Sequence, residues 1–117
     1  MRQWAYLKIS KSYNGNEIHK IMLHETADGT QVYLYLSKDA DFCSYDEWYE
    51  TIADALDSWE NIIDTHRWTI IDLSLLDCQQ DAIKPIRIKG YNVGKLQFGK
   101  YEILHEDKWI DYIPCAE

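Results

Sequence analysis

An imidazole beside a carboxylate is the smallest unit that can move protons, and the chain holds two: His24-Glu25 and His105-Glu106-Asp107. Such a pair could serve as a general base or donate to a metal. Both fall at an expected strand end or hairpin, where polar residues belong for local reasons, so turn residues are the simpler reading. A thiol next to an imidazole would make a nucleophile. Cys43, Cys78 and Cys115 offer three thiols about 35 residues apart, and His24 with Cys78 or His105 with Cys115 would be the pairs to meet in space. Their odd number and the absence of a CxxC spacing argue against a disulfide framework and against a zinc site. Free thiols and a cytoplasmic location are the expectation.

Other chemistry is missing. No GxGxxG, Walker, HExxH or GxSxG motif occurs. The segment Gly90-Tyr91-Asn92-Val93-Gly94 lacks the strand, turn and helix that cradle a phosphate. Carboxylates such as Asp54, Asp57 and Glu60 would diverge from one outward helix face, whereas a hard cation needs converging ligands. The expectation is therefore no catalytic residue, no cofactor and no metal.

Charge is the feature that departs from the average. The net charge is −8 and the mean hydropathy −0.46, which disfavours direct binding to nucleic acid or to an anionic membrane surface. Between Lys38 and Arg67 no basic residue occurs, yet nine acids do: Asp39, Asp41, Asp46, Glu47, Glu50, Asp54, Asp57, Glu60 and Asp64. The rest of the chain is nearly balanced, with eleven acids against twelve basic residues. A second asymmetry runs the other way. Lys84, Arg87, Lys89, Lys95 and Lys100 follow one another with no acid between Asp81 and Glu102.

The elements that would carry these charges read as follows. Gln3 to Ile9 alternates with the period of a strand, as do Ile18 to His24 and Gln31 to Leu36. Asn14-Gly15-Asn16 and Ala27-Asp28-Gly29 are the turns between them, giving an antiparallel meander. Ser44 with Glu47 resembles a capping box. Trp48, Ile52, Leu56, Trp59 and Ile63 then recur at helical spacing. This predicts one long amphipathic helix over about 44–66, roughly 33 Å in length, with His66 near its C-terminus. Asp46, Glu50, Asp54, Asp57 and Asp64 would share one face of it. Trp68 to Leu73, Pro85 to Lys89, Lys100 to His105 and Lys108 to Ile113 read as further strands. Glu106-Asp107 would turn the last hairpin, and Leu73, Leu75 and Leu76 would fold over the core.

The fold class expected is α+β: one domain over 1–117, a mainly antiparallel sheet of about six strands, and the helix packed across one face. No leader peptide and no apolar run long enough to span a membrane is visible in the sequence. Five Trp and nine Tyr exceed what one small core holds easily, so half-exposed anchors are expected at Tyr33, Tyr35 and Tyr91. The leading functional reading is a small cytoplasmic protein-interaction module, not an enzyme. It would dock Asp46, Glu50, Asp54, Asp57 and Glu60 on a basic protein partner, as an inhibitor or immunity-type protein would. A homodimer pairing the acidic helix with the Lys84–Lys100 ribbon is a further arrangement. The alternative is a small-ligand-binding or hydrolytic protein with a pocket at the sheet and helix ends, using His24, His105, Tyr101 and that ribbon.

Overall fold

A computed structural model describes residues 2–64, 68–71 and 78–114. His66, Leu73, Leu75, Leu76 and Cys115, and the expected end of the helix beyond residue 64, lie outside them. The meander forms as expected: β1 (Arg2–Tyr13), β2 (Asn16–Thr26) and β3 (Gly29–Tyr35) are antiparallel neighbours. Asn14 and Gly15 both take positive φ, 49° and 80°, as the commonest two-residue hairpin requires.

The long helix does not form. Tyr45–Tyr49 is instead a fourth strand, β4, antiparallel to β3. α1 covers only Ile52–Trp59, continuing as a 3-10 turn over Glu60–Ile62. Its N-cap is Thr51, whose hydroxyl accepts from the Asp54 amide at 3.2 Å, and not Ser44. The reason is competition for one segment. Tyr45, Trp48 and Tyr49 favour strands, and β3 would otherwise expose a bare edge on that side. Glu47 then links strand to helix: its carboxylate accepts from the Tyr49 hydroxyl at 2.8 Å and from Trp59 Nε1 at 3.2 Å. Beyond the 3-10 turn the chain becomes extended at Ile63, which bridges to Leu7 of β1. β5 (Thr69–Ile71) pairs with the start of β1, so the strand order is β4-β3-β2-β1-β5.

The short helix does lie where the long one was expected, across one face of this sheet. Ala55, Trp59 and Ile63 close over Ala5, Leu7, Ile21, Leu23, Val32 and Leu34, all buried. The opposite face is more polar. Its rows run across the strands in register. Trp48, Gln31, His24, Arg2 and Ile71 make one row; Asp46, Tyr33, Met22, Trp4 and Thr69 the next; Tyr35, Lys20 and Tyr6 a third. Ile18 breaks the alternation and joins Ile21 on the helix side. The register of β1 against β2 shifts between Tyr6 and Lys11, and such a bulge reverses which side the following residues face.

Two loops cover the polar face. The Arg2 guanidinium donates to the carbonyls of Ala82 at 3.1 Å, Gln79 at 3.2 Å and Gln80. The Lys20 ammonium donates to the carbonyls of Lys38 at 2.9 Å and Ala40 at 2.8 Å. The Tyr35 hydroxyl donates to the Asp81 carbonyl. Cys43 closes the gap, its amide donating to Asp81 Oδ2 at 3.0 Å.

A second sheet, not foreseen as separate, contains β6 (Ile86–Ile88), β7 (Tyr101–His105) and β8 (Lys108–Tyr112), in that order and antiparallel. Glu106 and Asp107 turn its hairpin with φ of 49° and 65°. It meets the first sheet through the loop after β3. The Phe42 and Tyr101 rings lie 5.0 Å apart, and the Tyr112 hydroxyl donates to Asp41 Oδ2 at 2.8 Å. Inside it, Arg87 pairs with Glu102 at 2.8 Å and stacks over Trp109 at 3.9 Å, with both charged side chains largely buried. Removing one partner of a buried pair strands the other charge. Glu102→Ala is therefore expected to destabilise the chain by about 3 kcal/mol, measured by denaturant unfolding. The exposed Lys89–Asp111 pair serves as the control, with little measurable change for Asp111→Ala.

Candidate docking site on the acidic edge

The expected acidic stripe is broken up and only partly rebuilt. Asp46 sits on β4, Glu50 in the link, Asp54 and Asp57 on α1 and Glu60 in the 3-10 turn. All five are exposed. They do not share one helix face, because the first two precede the helix. Instead they are distributed over the outer strand, the link, the helix and the 3-10 turn, with Asp46 on the far side of the strand from the helix. β4 is an edge strand, and its alternation sends Tyr45, Glu47 and Tyr49 toward the helix and Asp46 and Trp48 to the other side.

Trp48 is the residue that helical spacing misplaced. Expected in the core, it is 54% exposed, two residues from Asp46 and two from Glu50. Its indole lies against Gly29, where an added Cβ would come within 2.5 Å of the ring. Gly29 also holds φ at +147°, a conformation that side-chain-bearing residues rarely adopt. The strand period, with Tyr45, Glu47 and Tyr49 alternating against Asp46 and Trp48, was the signal that could have found it.

Tyr33 and Tyr35 fall on the opposite side of the expectation. They are 7% and 0% exposed, lying under the two loops on the polar face, so they are not surface anchors of this chain. Their strand is buried on both faces, since α1 covers one and the loops the other. Tyr91 is exposed, at the start of a 3-10 turn over Tyr91–Val93.

Of the groups expected at a ligand-binding pocket, the structure brings Tyr101, Lys89 and Lys100 together, and neither histidine joins them. His24 stands in the Arg2 row of the five-stranded sheet, and His105 lies exposed on the three-stranded sheet, 3.9 Å from Glu106. The basic ribbon is partly neutralised within its own surroundings: Lys84 pairs with Asp41 at 3.3 Å, Arg87 with Glu102 and Lys89 with Asp111 at 2.8 Å. None of those acids is on α1, so the ribbon does not fold back on the helix through these pairs. A cavity of about 310 Å³ opens beside Tyr101 between Lys89, Lys100 and Ile113, and neither histidine lines it. Among the described residues no group of three or more His, Cys, Asp or Glu side chains could hold a metal ion. No helix among them is long and apolar enough to cross a membrane.

Two titrations follow from the polar face. Burial, and then the neighbouring Arg2 charge, hold the His24 imidazole below its ordinary value of 6.5. The unfolded chain takes up that proton as pH falls through about 6.5, while the folded chain resists it. Stability is therefore lost below that point. The His24→Gln variant is expected to lose less stability than the parent between about pH 7 and pH 5, in paired denaturant titrations. Burial, and then Asp81, push the Cys43 thiol up to about 12. At pH 8 this leaves about a thousandfold fewer thiolates than a value of 9 would. With Cys78 and Cys115 replaced by Ser, Cys43 should react with a disulfide reagent orders of magnitude more slowly than the same chain unfolded.

Comparison with known protein families, with curated proteins and with solved structures finds no match to this chain.

Proposed function

We propose that this protein is a small acidic interaction module that docks its β4–α1 edge on a basic protein, in the manner of an inhibitor or an immunity-type protein. The single observation that supports this most is the exposed Trp48 of the edge strand β4, seated on Gly29 and flanked in the chain by the exposed Asp46 and Glu50. A rigid aromatic can bury a large area at small entropic cost. The exposed acids of β4, the link and α1 accelerate encounter with a positive surface and set the register of docking. The division of labour is specific: charge governs the approach and the indole governs residence. A cytoplasmic setting belongs to this same reading, resting on the three cysteines and their spacing.

The test is capture of partners at low and high salt with the parent chain, the Asp54→Lys/Asp57→Lys variant and Trp48→Ala, each checked by circular dichroism for an unchanged fold. A basic protein is expected to bind the parent at low salt, leave at high salt and be lost from both variants. With that partner purified, the charge reversals should slow association steeply at low salt. Trp48→Ala should speed dissociation about thirtyfold, matching about 2 kcal/mol for an interface anchor. Equal capture by all three chains would overturn the proposal. So would the absence of any captured protein while scattering shows the chain paired with itself.

A further inference from the structure

The polar face has an opening that docking by the acidic edge leaves unused. Between the first half of β1, residues 38–41 and residues 83–84 lies a cavity of about 430 Å³. That is within the roughly 300–1,000 Å³ typical of small-molecule sites. Trp4 and Tyr6, two residues apart on β1, form part of its wall. Their rings meet edge to face, with centroids 4.9 Å apart and planes at 79°. A flat ligand can lie on one ring and present its edge to the other.

The charge around this cavity is opposite in sign to that of the chain. Lys20, Lys38 and Lys84 line it, against Asp39 and Asp41, in a protein of net charge −8. Asp41 is turned inward: its side chain is 3% exposed, 3.3 Å from Lys84 and bonded to the Tyr112 hydroxyl. Lys20 anchors the loop through the Lys38 and Ala40 carbonyls, which fixes the backbone from which Lys38 extends. The Lys38 ammonium stands 5.5 Å from the Tyr6 centroid and has no carboxylate partner among the described residues. Lys38 is exposed where it lines the cavity, so its attraction for an anion is greatest at low salt.

We infer that this cavity binds a small molecule combining a flat aromatic ring with an anionic group. The ring rests on Trp4 and Tyr6, and the carboxylate or phosphate meets Lys38. Asp39, exposed beside Lys38 in the chain, opposes the anion and limits its affinity.

The experiment uses naphthalene-2-carboxylate, 2-naphthyl phosphate and the neutral naphthalene-2-carboxamide as probes, with binding followed by the indole N–H resonance of Trp4. At least one of the two anions is expected to bind about tenfold more tightly than the carboxamide at low salt. Which one does so separates a carboxylate ligand from a phosphate ligand. Lys38→Glu should abolish that preference, and Asp39→Asn should increase it; both positions are exposed, so the fold should be unaffected. Equal binding of anions and carboxamide would overturn the inference. No saturable shift at Trp4 up to about 5 mM, or a preference unchanged in Lys38→Glu, would do the same.

Discussion

Three cations lie almost wholly inside this protein, and each must be satisfied by something other than water. Arg87 has Glu102, and the other two lie on the polar face. Arg2 is 1% exposed and Lys20 is 6% exposed. An ammonium or guanidinium taken out of water without partners costs several kcal/mol. Here the partners are backbone carbonyls: those of residues 79, 80 and 82 for Arg2, and of residues 38 and 40 for Lys20. The arrangement couples separate requirements. The two loops have carbonyls to satisfy, the sheet has charges to solvate, and neither is content alone. One loop leads into the second sheet, the other touches it through Asp41 and Phe42, and both line the ring-walled cavity. Its geometry thus depends on the same buried charges that hold the loops down.

The two faces of the five-stranded sheet consequently use different physics. On one side Trp59, Ala55 and Ile63 cover an aliphatic surface, and burial of apolar area is the driving force. On the other, a smaller apolar cluster of Met22, Tyr33, Tyr35 and Ala40 is combined with hydrogen bonds to buried charge. These bonds are directional and costly to leave unmade. The apolar side tolerates a helix of only two turns. The polar side needs its loops held at specified carbonyl positions. Trp59 joins the two modes, with its ring in the core and its indole N–H on Glu47 of β4.

The meander, its first hairpin turn and the last hairpin were legible because their signals are local: period-two alternation and residues that tolerate positive φ. The segment from residue 44 onward misled because two periods overlap there. Ile52, Leu56 and Trp59 are truly helical, and extending their spacing backward reaches Trp48 by coincidence. What decides between strand and helix at Tyr45–Tyr49 is an empty sheet edge on β3, a tertiary fact that no local pattern records. Tyr33 and Tyr35 were misplaced for a related reason. Aromatic surplus suggested exposure, but the covering loops come from elsewhere in the chain, one of them more than 40 residues away. The acids were legible as a charge block and not as a surface, since their arrangement depended on that same strand. Lys20 and Arg2 gave no sequence signal of burial at all, and the cavity beside them shared that silence.

The contact between Arg2 and the Ala82 carbonyl spans eighty positions, which has a meaning for the order of assembly during synthesis. The first strand leaves the ribosome carrying a guanidinium whose carbonyl partners have not yet been made. At about 5–20 residues per second, roughly 4–16 s pass before residue 82 is polymerised. Through that interval the first hairpins can pair and the helix can close their apolar side, but the opposite side stays open to solvent. The nascent chain is thus one-sided by construction. Arg2 and Lys20 keep that open side hydrated and charged at the stage when a bare hydrophobic sheet would be most prone to associate with another.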